Sequence, residues 1–356
     1  MMRTAVLGLV LLLAVGPQAS GVDSPVVERI FGPETPTGPY KHPSSVTELT
    51  NGDLYLAYFG GEGEYAGSTK VYGSRKALGS DTWTEPVVIA SNPFRSLGNP
   101  VVWQAPDGVV WLFYVTRFGE TWSTSRIKAK ISRDGAQSWS DSVLLTLEEG
   151  FMVRSHPVVL GNGDYLLPVY HETGHDTERT GSDTTSRFLR LVAGETEWKP
   201  SGIIRSPKGN LQAAVVEGHD GRLLAFCRRA GDYEPETKGW IVRAESTDGG
   251  WTWSEGVDSE FPNPNAAVEC KRLANGHLIL VFNDSMSDRT PLTVAVSTDG
   301  GRTFAHRRNI AEGPGSFSYP TVIQTRDGKI HLTFTSDERT VIRHVVFEED
   351  WILERE

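Results

Sequence analysis

The stretch TNGDLYLAYF, Thr50 to Phe59, sets an Asn-Gly pair directly before an apolar, β-prone run, and the arrangement returns five more times. Asp107-Gly108, Asn162-Gly163, Asp220-Gly221, Asn275-Gly276 and Asp327-Gly328 each stand before such a run: VVWLFYV from Val109, YLLPVY from Tyr165, LLAFC from Leu223, LILVF from Leu278 and IHLTF from Ile330. Asn-Gly and Asp-Gly are the strongest short hairpin signals, because both central residues of a type I′ turn need φ > 0. Successive glycines lie 56, 55, 58, 55 and 52 residues apart. A strand-built unit repeating at that interval predicts a β-propeller with six blades.

Each unit extends on both sides of its hairpin. A first strand leads in from His42-Pro43, Asn99-Pro100, His156-Pro157, Gln212-Ala213, Asn265-Ala266 or Tyr319-Pro320, and a third strand follows the second (KVYGSR, RIKAKIS, RFLRLVA, WIVRAES, LTVAVS, VIRHVVF). In three units the third strand runs into the pattern S-x-D-G-x-x-[ST]-aromatic, at Ser132 to Trp139, Ser246 to Trp253 and Ser297 to Phe304. There the Asp can accept hydrogen bonds from turn amides, glycine supplies the left-handed position, and the aromatic plugs between neighbouring sheets. The last unit has little room for an outer strand, whereas SPVVERIF at residues 24–31 precedes the first unit unassigned. The expected fold is therefore all-β, a six-bladed propeller of four-stranded antiparallel blades whose ring is closed by the N-terminal strand.

Composition agrees with one domain over residues 22–356. A chain of 356 residues with 37 Gly and 20 Pro suits a turn-rich propeller, and 10 Trp, 10 Tyr and 14 Phe supply rings for packing between blades or stacking on sugars. Arg3, an apolar stretch from Ala5 to Val15 and small residues around Ala19 to Gly21 read as a secretory signal over residues 1–21, so a secreted or periplasmic protein is expected. That apolar core is too short to span a membrane, and no membrane insertion is expected. Cys227 and Cys270 lie in strands of adjacent units, and a chain this large does not need a staple. A formal charge of −10 argues against a nucleic-acid partner, so an anionic ligand has to be met by a local basic site. His171 and His175 are four apart, but at a strand end and in a loop rather than on a helix, so neither a metal nor another cofactor is expected.

Strand topology turns the repeat into a map. First-strand starts and second-strand ends must share one face of the ring. The starts are His42, Asn99, His156, Gln212, Asn265 and Tyr319, none of them aliphatic. The second strands are followed by Glu62 and Glu64, Arg117 and Glu120, His171, Glu172 and His175, Arg228 and Arg229, Asn283 and Asp284, and Asp337 and Glu338, with Arg154 and Arg289 in loops nearby. A concave, charged mouth ringed by aromatics is the default site.

From about residue 24 to residue 350 the sequence resembles the Asp-box (BNR-repeat) β-propellers of the sialidase superfamily. The resemblance implies three arginines that grip a substrate carboxylate, a Tyr nucleophile backed by a Glu, and an Asp acid/base. Arg228, Arg289 and Tyr319 stand where the second arginine, the third arginine and the nucleophile are expected. Two positions depart from the pattern. Tyr40-Lys41-His42-Pro43 replaces a Tyr-Arg-Ile-Pro-like motif, and neither Lys nor His reproduces the bidentate fork of Arg. Gln212 replaces the Glu behind the nucleophile and cannot accept the phenolic proton as a base. The acids nearest the acid/base position are Glu62 and Glu64, with Glu64 preferred.

The catalytic candidates are thus Tyr319, Glu64, His42 and His156, and the substrate-binding candidates Arg228, Arg289, Lys41, Gln212, Asn99, Asn265, Arg117 and Arg154. The favoured chemistry is an exo-acting, sialidase-like hydrolysis of a terminal acidic sugar from a glycan or polysaccharide by a monomeric enzyme, because the three matched positions belong to the sialidase arrangement. With Gln212 in place of Glu, a water-based inverting route stands beside the tyrosyl one. The runner-up is a polysaccharide lyase, in which arginines neutralise a uronate and His42, His156 or Tyr319 removes its α-proton. A non-catalytic glycan-binding propeller is the third reading.

Overall fold

A computed structural model describes residues 24–354 apart from 176, 178, 179, 219 and 232–238; the expected signal at residues 1–21 lies outside the described residues. Six antiparallel sheets stand around one axis. Blade 1 runs outward from Tyr40–Glu48 through Leu54–Gly61 and Lys70–Lys76 to Val87–Ala90, and blades 2, 4 and 5 repeat that order from the inner strands Leu97–Gln104, Asn210–Glu217 and Glu269–Arg272. Blade 3 follows it with an inner strand in two pieces, Phe151–Val153 and Val158–Val159. In blade 6, Ser318–Gln324, Ile330–Ser336 and Val341–Phe347 are completed by Val27–Phe31, with Val27 opposite Val345 and Phe31 opposite Ile342. The N-terminal strand closes the ring as expected.

The hairpins form where the repeat places them, but not as type I′ turns. Only the glycine has a positive φ, between 76° and 89° at all six sites. In blade 1 the Gly52 amide donates to the Leu49 carbonyl and the Leu49 amide to the Asp53 carbonyl, and the same pair of bonds recurs in the other five hairpins. This is a three-residue loop: a type I turn followed by a left-handed glycine. The preceding Asn or Asp acts through its side chain instead. Its Oδ1 accepts the amide two residues on, as at Asn51 to Asp53 (3.2 Å), Asp107 to Val109 (3.0 Å) and Asn275 to His277 (3.0 Å). Asn and Asp alternate freely here because both carry that oxygen.

The three Asp boxes join neighbouring blades. In blade 4, Asp248 accepts from the Ser246 hydroxyl (2.8 Å) and from the amide and hydroxyl of Thr252 (2.9 and 2.6 Å). The box aromatic then meets the preceding blade: Trp253 stacks on Phe188 at 4.6 Å, Trp139 packs on Tyr55 at 6.1 Å, and Phe304 stands edge-on to Phe226 at 5.7 Å. A latch the motif did not foretell reinforces two of these seams. Arg190 bridges Asp164 of its own blade (2.7 Å) and the Gly249 carbonyl in the box of blade 4, and Arg75 likewise bridges Asp53 (2.7 Å) and Gly135 in the box of blade 2.

Two stability tests follow. A chain begun at residue 36 lacks the outer strand of blade 6 and exposes Val345 and Phe347, so its thermal unfolding should shift down for the whole domain; an unchanged Tm would refute closure by this strand. Arg190→Met strands the buried Asp164 and should cost about 3 to 5 kcal/mol in denaturant unfolding, much of it recovered by adding Asp164→Leu.

Candidate functional site

Four of the six inner-strand starts share a strained backbone. Asn99, Gln212, Asn265 and Tyr319 have φ of 44°, 54°, 54° and 55°, a region worth roughly 1–2 kcal/mol of strain for an ordinary L-residue. At three of them pairing slips within the strand, between Gly98 and Val101, Leu211 and Ala214, and Ser318 and Thr321, and blade 1 slips likewise between Lys41 and Ser44. A bulge re-aims the residue it contains. Here each one turns a polar or aromatic side chain toward the axial mouth.

The pocket so formed is built on Tyr319. Arg228 donates from Nη1 to the Tyr319 hydroxyl (2.8 Å) and to Gln212 Oε1 (3.1 Å), and from Nε to Asn265 Oδ1 (2.7 Å). Arg289 donates to the Asn265 carbonyl (3.0 Å) with its guanidinium 5.6 Å from the Tyr319 ring centre. Arg154 lies 5.3 Å from the same ring, anchored by Thr321 Oγ1 (3.2 Å), the Pro320 carbonyl and, at 3.8 Å, Glu269. His42 meets the ring edge-on at 4.2 Å and shares a hydrogen bond with Thr335 Oγ1 (2.7 Å). Asn99 and Gln212 both donate to the Tyr170 hydroxyl (3.1 and 3.2 Å) in the wall.

Arg339 completes the cluster, and sequence reasoning passed over it. Asp337, Glu338 and Arg339 are all left-handed, with φ of 50°, 54° and 68°, and the Lys41 amide donates to the Arg339 carbonyl (2.8 Å). This tight turn presents the Arg339 guanidinium to the pocket, where it pairs with Glu64. The available signal was positional: Arg339 follows the second strand of its blade, as Arg117 and Arg228 terminate theirs.

Electrostatics single out one phenol. At Tyr319 loss of hydration opposes ionisation, but Arg228, Arg289 and Arg339 outweigh it and bring the group below its usual range. Burial instead raises Tyr40 and Tyr170 well above that range. His42 is held well below the ordinary imidazole value by burial and by Arg339, Arg289, Arg154 and Arg228, so it stays neutral. Glu172, half-buried in the same wall, is pushed up to about 7 because desolvation and the nearby Glu64 prevail over the pull of Arg228.

Three expected site residues lie elsewhere. Lys41 points away from the mouth, as a strand neighbour of His42 should, and its Nζ donates to the Gly38 carbonyl (2.6 Å). Arg117 stands behind the wall, donating to the Tyr65 carbonyl (2.6 Å) and lying 4.7 Å from the Tyr65 ring and 5.4 Å from Trp122. His156 faces the opposite end of the channel, beside Trp103, Glu269 and Lys271, with Ser45 Oγ 3.1 Å from its Nε2 and burial holding its pKa down to about 3. The break in the inner strand of blade 3 explains this last departure, because Arg154 to Pro157 form a connection instead of a bulged strand start.

The Tyr65 hydroxyl donates to the Thr177 carbonyl (2.7 Å) and Ser123 to the Gly174 carbonyl (2.6 Å), drawing that part of blade 3 across the mouth. The space beneath is about 50 Å³. Among the described residues no group of three or more His, Cys, Asp or Glu is placed to hold a metal ion, and both cysteines are buried free thiols.

A family model described as a BNR repeat-like domain matches residues 52–332. A sialidase from Micromonospora viridifaciens is 24% identical over 350 residues, covering 88% of this chain, which spans about half (52%) of that relative's length. A Dyadobacter fermentans protein of unknown function superposes with a TM-score of 0.76 at 18% identity, covering 92% of this chain and 99% of that one. The intramolecular trans-sialidase from Ruminococcus gnavus, solved in complex with oseltamivir carboxylate, gives 0.73 at 14% identity over 92% of this chain and 98% of that one.

The lowered phenol is directly measurable. In a tyrosinate absorbance titration Tyr319 should ionise below the ordinary value of about 10, and that step should vanish in Tyr319→Phe and move up in Arg228→Gln. If every tyrosine titrates at or above the ordinary value, the electrostatic account of the pocket is wrong.

Proposed function

We propose, for a chain that belongs to the family of BNR repeat-like domains, that it is a secreted, exo-acting glycoside hydrolase releasing a terminal acidic sugar from a glycan or polysaccharide. The observation that carries this reading is the convergence of Arg228, Arg289 and Arg339 on the single phenol of Tyr319. Guanidinium groups match a carboxylate in geometry and charge, so the same cluster that lowers the phenol also recognises an acidic sugar. The sialidase names of the relatives fit that substrate class.

The chemistry starts with the phenol. Its proton passes to solvent, and the arginines hold the phenolate without the carboxylate base that Gln212 has displaced. Tyr319 oxygen attacks the anomeric carbon as the glycosidic oxygen departs with a proton from a pocket carboxyl; water then displaces the tyrosyl group and restores the phenolate. Elimination draws less support. His42 resists protonation and is already hydrogen-bonded to Thr335, and His156 lies at the far end of the channel.

Incubation with sialosides and with glucuronate-terminated oligosaccharides, followed by mass analysis, tests the reading. A free terminal acidic sugar with the gain of one water is expected, and Arg228→Lys should lower kcat/KM by about 100-fold, since a point charge replaces a fork bonded at three sites. An unsaturated product, or tight binding with no turnover, would overturn it.

A further inference from the structure

The pocket holds two carboxyl groups in opposed surroundings, and the difference assigns them different work. Glu64 is fully engaged: Oε2 pairs with Arg339 and Oε1 accepts from Trp122 Nε1 (3.2 Å). With a cation on one oxygen and a donor on the other, this carboxylate is fitted to orient Arg339. Glu172 follows the second strand of blade 3, its amide fixed to the Gly150 carbonyl (2.9 Å). Its carboxyl lines the same pocket as Tyr319, Arg228 and Gln212 and accepts no hydrogen bond from any described residue.

We propose that Glu172 is the catalytic acid and base of this pocket, and that Glu64 is a positioning residue for Arg339; the proposal rests on the hydrolase reading above. In the first step the Glu172 carboxylic acid transfers its proton to the glycosidic oxygen as the bond to the anomeric carbon breaks. The bonding pair stays on that oxygen, the leaving group departs as an alcohol, and Tyr319 oxygen takes its place on the carbon. In the second step the Glu172 carboxylate removes a proton from water, the water oxygen bonds to the carbon, and the tyrosyl oxygen leaves as phenolate. The environment suits both roles. Desolvation and the Glu64 charge keep Glu172 protonated up to about pH 7, where a carboxyl can both give and regain a proton.

The sequence map had placed Glu172 at the mouth without a role and had preferred Glu64 as the acid/base. Repeat position could not separate the two, because both follow second strands. What distinguishes them is their partners, and those come from the two blades that flank blade 1: Arg339 from blade 6 and Trp122 from blade 2 close on Glu64.

The test compares wild type, Glu172→Gln and Glu64→Gln on 4-nitrophenyl glycosides of N-acetylneuraminic acid and glucuronic acid and on the same sugars linked to galactose. An aryl leaving group departs without protonation, whereas a galactose oxygen requires it. For the galactose-linked substrate, wild-type kcat/KM should fall as pH rises through about 7, because Glu172 then loses the proton it must donate. Glu172→Gln should lower kcat/KM by about 100-fold or more on that substrate, by less than about 10-fold on the aryl glycoside, and should abolish the fall near pH 7. Glu64→Gln should keep that pH limb and instead raise KM on both substrates. If Glu172→Gln retains the limb or loses both substrates equally, or if Glu64→Gln loses the galactose-linked substrate selectively, the assignment is overturned while wild-type turnover still upholds the hydrolase. Absence of cleavage by the folded wild type on all four glycosides overturns both. Matching melting curves for the isosteric variants separate chemistry from folding.

Discussion

One guanidinium ties three blades together at the axis. Arg228 issues from blade 4 and spends its donors on Gln212 of its own blade, Asn265 of blade 5 and the Tyr319 hydroxyl of blade 6. Those acceptors are within reach only because their inner strands open with left-handed residues, and for Gln212 and Tyr319 that conformation has no intrinsic advantage. The strain is affordable in a ring whose hairpins, Asp boxes and arginine latches settle the rest of each blade. Asn at two of the four positions lowers the cost, since its side chain tolerates the left-handed region.

The replacement of an acid by Gln212 makes sense within the charge balance of this cluster. Arg154, Arg228, Arg289 and Arg339 surround one ring, while Glu269 and Glu64 are committed to Arg154 and Arg339. Against that excess of positive charge a tyrosine gains acidity without a neighbouring base, as the lowered pKa of Tyr319 and the raised ones of Tyr40 and Tyr170 illustrate. A glutamine in the same place still accepts from Arg228 and donates to two phenols, so it preserves the network while leaving the net charge more positive.

Much of this architecture was legible in the chain because it is local and repeated. The hairpin pairs and Asp boxes are short patterns whose hydrogen bonds close within a few residues, and the closing strand 27–31 was visible as a remainder. The turn type was misjudged because Asn-Gly is equally compatible with a type I turn that ends in a left-handed glycine, and only the side-chain bond from Asn51 to the Asp53 amide discriminates. Arg228, Arg289 and Tyr319 were found together since each occupies a repeat-equivalent or family-matched position. Arg339 and the role of Glu172 were not, because both depend on side-chain contacts between different blades, which a repeat pattern does not register. His156 failed for a third reason: the repeat promised a bulged strand start, and blade 3 breaks its inner strand there.

That break carries a consequence for the site. At the break in the inner strand of blade 3, Arg154 reaches across the channel to Thr321 and Pro320 and lies against Tyr319. In blade 3 the second-strand end at His171 pairs with the separate inner segment Phe151–Val153. Glu172 is thereby placed beside the Gly150 carbonyl, within the wall of the pocket. A single irregularity in an otherwise regular ring thus supplies both the cation beneath the phenol and the desolvated carboxyl opposite it. Regular repeats build the scaffold, and the departure from regularity makes two sides of the pocket chemically different.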